Sequence, residues 1–144
     1  MRRPLIGLHT FVGIGALFGG AAALLNPYEP LGMPVEALEY SPFDNYLIPG
    51  IILFTIVGLG SIISALMLYS GSRFRGCVSA IFSWALVIWI VVQCLMLRTI
   101  HFLHIVFLII GLTEVILSTA TMLRHQLFPV NVIIRMFREK NLYP

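Results

Sequence analysis

Four stretches of this chain, residues 5–25, 48–69, 77–97 and 103–123, contain no Asp, Lys or Arg, and only the last holds a carboxylate, Glu114. An α-helix needs about 20 apolar residues to cross the roughly 30 Å hydrocarbon core of a bilayer, and each stretch meets that requirement. Lipid offers a backbone amide no partner outside its own segment, so such stretches must be helical unless they close into a barrel. Barrel strands are about ten residues long and alternate apolar with polar, and no segment here alternates. The expected fold is therefore all-α: one four-transmembrane-helix bundle over residues 1–144. Composition excludes the other classes. Only 10% of the residues are charged, against about 25% in soluble domains. The 59% hydrophobic content excludes disorder, since disordered chains are poor in apolar residues. Two cysteines are too few for a secreted disulfide scaffold.

The nine basic residues predict an orientation. Arg2 and Arg3 precede the first run, Arg73 and Arg75 separate the second from the third, and Arg124, Arg135, Arg138 and Lys140 follow the fourth. Only Arg98 falls on the opposite side. The positive-inside rule then puts both termini in the cytoplasm. The loop 26–47 agrees, with Glu29, Glu36, Glu39 and Asp44 and no Lys or Arg. Arg2, Arg3 and the run Ala21, Ala22, Ala23 also suggest a cleavable signal peptide. The apolar run of about 20 residues exceeds the usual 7–15 of such a peptide, so the first span is expected to be retained.

Proline punctuates the external loop at Pro27, Pro30, Pro34 and Pro42. Pro34 suits the start of a short helix over 35–38, and Pro49 suits the N1 position of the second span. Tyr28, Tyr40, Phe43 and Tyr46 suit a headgroup environment. The loop reads either as a lid on the outer face or as a solvated connector with aromatic anchors. Gly71 is placed to cap the second span. The tail 124–144 sets Val130, Ile133, Ile134 and Phe137 at helical spacing among cations. A short interfacial helix at the cytoplasmic face follows, with Arg124, Arg135, Arg138 and Lys140 on anionic headgroups. A docking site for a cytoplasmic partner is the alternative.

Membrane helices associate where small residues let backbones approach closely. The first span offers Gly15, Gly19 and Ala23 with Gly20 beside them, the second Gly60 with Ser64 and Ser61 with Ala65, and the third Ser79 with Ser83. These seams predict either a compact bundle or a homo-oligomer interface.

Glu114 stands out among the intramembrane polar groups, because a charge at mid-membrane costs at least about 2.5–3.5 kcal/mol. His104, Gly111, Ser118, Thr121 and His125 share its stripe. Ser61 lies at about its depth, and His9 about a turn or two nearer the termini. A Glu114–His9 pair then requires a long or tilted first span. The carboxylate reads as an ion or proton site, or as a group that only hydrogen-bonds between helices. Gln93 lies higher, nearer His101 and His104, and reads as an interhelical hydrogen bond.

The four histidines fall as two pairs at opposite membrane faces, an arrangement unsuited to an axial haem pair or a metal site. Neither metal nor cofactor is expected. Cys77 and Cys94 lie on one helix, roughly 25 Å apart, too far to bridge. No phosphate loop, HExxH or GxSxG is present, so no enzyme class is supported, and the basic tail is too short to argue for nucleic acid.

The run SPFDNYLIPGIILFTIVGLG (residues 41–60), followed by WIVVQ (89–93) and GLTE (111–114), resembles a group of small bacterial membrane proteins. That group has four spans, an SPF…LIPG run leading into the second, a WxxxQ in the third and a GxxE in the fourth. The resemblance implies this architecture and a bacterial cytoplasmic-membrane location, and carries no activity with it. The basic tail is longer than that pattern. The expected role is a non-enzymatic accessory or interaction subunit, as a homo-oligomer or in a larger membrane complex. The alternative is a small oligomeric transporter or channel using Glu114.

Overall fold

The computed structural model describes residues 2–140, and its regular structure is entirely helical. In chain order come α1 (Arg2–Leu25), short 3-10 turns at Pro30–Gly32 and Val35–Leu38, α2 (Leu47–Ser70), α3 (Arg75–Leu97), α4 (Phe102–Arg124) and α5 (Val130–Lys140). The first four are long and apolar enough to cross a membrane. Each extends past its apolar run at one or both ends, by up to three residues. Short connections make neighbours antiparallel. Thus α1 packs along α2 over the most extensive interface, α3 packs more against α4 than against α2, and α4 meets α1 only thinly. The apolar centre is formed by Val12, Ala16, Val57, Leu86, Trp89 and Ile90.

Close approach sets the α1–α2 geometry, along a different face from the one the spacing suggests. The buried small residues of α1 are Gly13, Ala16, Gly20 and Ala23, while Gly15 is exposed and Gly19 half-buried. A Cβ on Gly20 would lie 2.7 Å from the backbone nitrogen of Phe54, and one on Gly50 would lie 2.6 Å from the Cβ of Ala23. The same atom on Gly15 or Gly19 would meet only Phe107 or Leu53, at 3.6 and 3.4 Å, ordinary van der Waals distances. The triplet at four-residue spacing shares only Ala23 with the real seam. The 3.6-residue turn explains this, since a face running through 13, 16, 20 and 23 alternates steps of three and four. Gly60 does serve close packing, since a Cβ there would collide with the ring of Phe82.

The middle of α2 is a π-helical segment, Leu53–Leu59. Its wider turn inserts a residue into the helical repeat, so that Val57 and Gly58 face α1. Pro49 occupies the third position of α2, not the first. First-turn amides have no intrahelical acceptor, so proline is accommodated there as well.

The two ends of the bundle are closed differently. At the loop end, residues 26–46 fold back onto the helices. Leu38 and Tyr46 are buried with Ala23 and Met96, the Tyr46 amide donates to Pro27 O at 2.8 Å, and the Arg98 guanidinium stacks 4.1 Å over Tyr40. The Tyr46 hydroxyl donates to Pro34 O at 3.2 Å. Burial, and secondarily the Glu36 carboxylate, pushes this phenol above its usual range. A raised value in the folded state favours the protonated donor, so the tether holds below the ordinary phenol range and weakens as pH rises through the raised value. Tyr46→Phe should keep the ring packing and lose one hydrogen bond, about 0.5–1.5 kcal/mol. The check is faster amide exchange confined to residues 30–46; unchanged exchange there would contradict the tether.

At the termini end, Arg2 reaches across to α2. Its Nε donates to Leu68 O at 2.5 Å and its terminal nitrogen donates to Tyr69 O. Gly71, at φ 76°, ends α2 in the left-handed conformation, and Arg75 donates to its carbonyl at 2.9 Å. Cations here meet the unsatisfied carbonyls and negative dipole end of the helix. The helix α5 is exposed from Asn131 to its end, with an i,i+4 pair between Arg135 and Glu139 at 3.2 Å.

Candidate functional site

Polar side chains are concentrated in the half of the bundle nearer the termini, and all four long helices contribute. His9 comes from α1, Ser61 and Ser64 from α2, Ser79 and Ser83 from α3, and Glu114, Ser118 and Thr121 from α4. His9 and Glu114 are both fully inaccessible, at 0% exposure. Glu114 stands about 15 Å along α4 from its C-terminal end and His9 about 10 Å along α1 from its start. Two long side chains bridge that offset, and His9 Nδ1 lies 3.4 Å from Glu114 Oε1.

The other imidazole nitrogen, Nε2, is 2.7 Å from Ser79 Oγ. The imidazole therefore joins α1 to both α3 and α4. Nδ1 and both carboxylate oxygens make no hydrogen bond among the described residues, so the 3.4 Å approach is a charge contact and not a hydrogen bond. With one proton between them, imidazole and carboxyl carry no net charge, whichever of the two holds it. That neutrality makes the pair tolerable where an isolated carboxylate is not.

Most of the hydroxyls around this pair are satisfied by their own helices. Ser64 donates to Gly60 O at 2.9 Å, Ser83 to Ser79 O at 2.7 Å, Ser118 to Glu114 O at 2.7 Å and Thr121 to Leu117 O at 2.8 Å. Such bonds to the carbonyl one turn earlier let a hydroxyl sit on an apolar helix face. Ser61 is the exception, fully buried with an unpartnered Oγ.

The arrangement can hold a proton between imidazole and carboxyl and can fix three helices in register. Among the described residues, no three His, Cys, Asp or Glu side chains are grouped to hold a metal ion.

The structure separates Gln93 from this group. It lies on α3 about 21 Å beyond Ser79, where it borders a cavity shared with His104. His101 and His104 form a capping box at the start of α4, with His104 Nδ1 accepting from the His101 amide at 3.1 Å. Sequence spacing does not single out Ser79 as the partner of His9, because the seryl seam of α3 reads equally as packing. A histidine on a span that also carries a small-residue face was the available signal. Comparison with protein-family models, characterised proteins and solved structures returned no match.

Proposed function

We propose that this chain is a non-enzymatic, multi-pass accessory or interaction subunit of a cytoplasmic membrane. Its bundle is held by a His9–Glu114–Ser79 lock, and both termini lie in the cytoplasm. The observation that supports this reading is the sealing of Glu114: the carboxyl is at 0% exposure and 3.4 Å from His9. A proton or cation carrier needs a water-filled approach to its charged group. The cavities within the bundle are bordered instead by Val12, Val57 and Leu86 at their lower end, and neither Glu114 nor His9 lines them.

The orientation rests on the cations of the termini end. There α5 sets Ile133, Ile134 and Phe137 on one face and Arg135 and Arg138 on the other, with Lys140 in its last turn, a pattern suited to the headgroup region of an anionic leaflet. In this reading Arg124 joins the same basic belt, and a homo-oligomer or larger membrane complex forms through the lipid-facing helix surfaces.

The rival reading, a small oligomeric transporter, draws on the unpartnered carboxylate oxygens and the free Ser61 hydroxyl. Glu114→Gln separates the two, assayed in native membranes for ion flux and for co-purifying partners together. The accessory reading expects unchanged flux with weakened partner recovery. Flux lost with the carboxylate would favour the transporter. No change in either quantity would remove Glu114 from any functional account.

A further inference from the structure

The thin α1–α4 interface leaves a space in the half of the bundle nearer the loop. Two adjoining lobes of about 190 Å³ each share Met33, Leu53, Trp89, Gln93 and His104. Each is larger than the roughly 150 Å³ apolar cavity that accepts a benzene ring. Gly15 borders one lobe and Gly19 the other, and Gly15 faces Phe107 across the α1–α4 gap. Leu31 and Met33 of the folded-back loop border the space from above. The walls are otherwise apolar, apart from Tyr46, whose hydroxyl is held by Pro34 O.

Two polar groups without a protein acceptor break that apolar lining. The Gln93 amide, on the wall of both lobes, makes no hydrogen bond among the described residues. His104 Nδ1 accepts from the His101 amide, which leaves the ring proton on Nε2, a donor without a protein partner. Trp89 also borders both lobes, but its Nε1 is buried away from them. Two donors without acceptors beside an apolar space call for an oxygen acceptor on an apolar body. We infer that this cavity binds a bilayer amphiphile through a carbonyl oxygen, the apolar portion filling the lobes and the carbonyl held by Gln93 and His104.

An acyl ester of a glycerolipid and the ring carbonyl of a quinone share this chemistry, and fluorescence distinguishes them. Trp84 is 51% exposed on the outer surface of α3, so Trp84→Phe leaves Trp89 as the single reporter. In nanodiscs of phosphatidylcholine, this variant is titrated with chain-brominated phosphatidylcholine in one arm and decylubiquinone in the other. The expected result is saturable quenching of Trp89 by one probe, which names the source. Gln93→Leu should weaken that probe about three- to tenfold, the loss of one hydrogen bond. Gly15→Leu and Gly19→Leu, whose Cβ positions are free of clashes, should abolish saturation by filling the lobes. Gln93→Leu adds no bulk, so it tests the site even where a filled variant folds poorly. Quenching that never saturates, or that is the same in all the variants, reports lipid on the outer surface alone and overturns the inference.

Discussion

His9→Leu is expected to destabilise the bundle by about 3 kcal/mol or more, and the double variant His9→Leu/Glu114→Leu to recover most of that loss. Removing the imidazole alone leaves a fully buried carboxyl without its partner, the costly way to break a buried pair. Removing both replaces two polar groups with apolar ones of comparable bulk, which such sites often tolerate. Unfolding from mixed micelles, measured for wild type, both single variants and the double, closes a thermodynamic cycle. A coupling of 1 kcal/mol or more is on the order expected for groups in contact. Additive single effects would show that the 3.4 Å approach of His9 to Glu114 carries no energy.

The second large effect concerns glycine. Gly20→Ala and Gly60→Ala should each cost about 1–3 kcal/mol, the range for forcing extra atoms into a packed interior. Gly20 is the more severe case, because the added atom meets the backbone of Phe54 at 2.7 Å, and backbone cannot turn aside. At Gly60 the obstacle is the Phe82 ring, which has some freedom to rotate. Gly15→Ala and Gly19→Ala should fall within about 0.5 kcal/mol of wild type, as for substitutions away from packed features. The same unfolding assay ranks the four. Equal losses at Gly15 and Gly20 would contradict the seam through residues 13, 16, 20 and 23.

That contrast marks where the sequence was legible. Apolar length alone located four helices within a few residues, because a bilayer admits so few backbone solutions. Glu114 was legible for the same reason: a single carboxylate in an apolar run has nowhere inconspicuous to be. Which glycines pack was not legible, since GxxxG spacing at Gly15 and Gly19 competes with the three- and four-residue steps of the true face. The partner of Glu114 was reachable only as one of several depths. Residue counting put His9 a turn or more away, and the side-chain reach that closes the gap depends on helix rotation. The π-helical turn of α2, which lies where Val57 and Gly58 are buried, has no compositional signature in LFTIVGL. Residue counting places Gln93 nearer His101 and His104 than Glu114, and it does border a space with His104. The space itself, which depends on how thinly α1 meets α4, has no signature in the sequence.

Closure of the polar cluster to water is tested most directly by cysteine accessibility. Ser61→Cys is suited to the purpose, because the serine hydroxyl has no hydrogen bond to lose. Ser118→Cys, on α4 one turn from Glu114, provides a second position. In a background with Cys77 and Cys94 replaced by serine, each variant is exposed in sealed vesicles to a charged thiol reagent, added in turn from either face. Closure predicts that neither position is labelled from either side, while a cysteine at the exposed Ser70 reacts readily. Labelling of Cys at position 61 or 118 from one face, blocked by protons or a monovalent cation, would contradict the sealed lock and place a conducting path at Glu114.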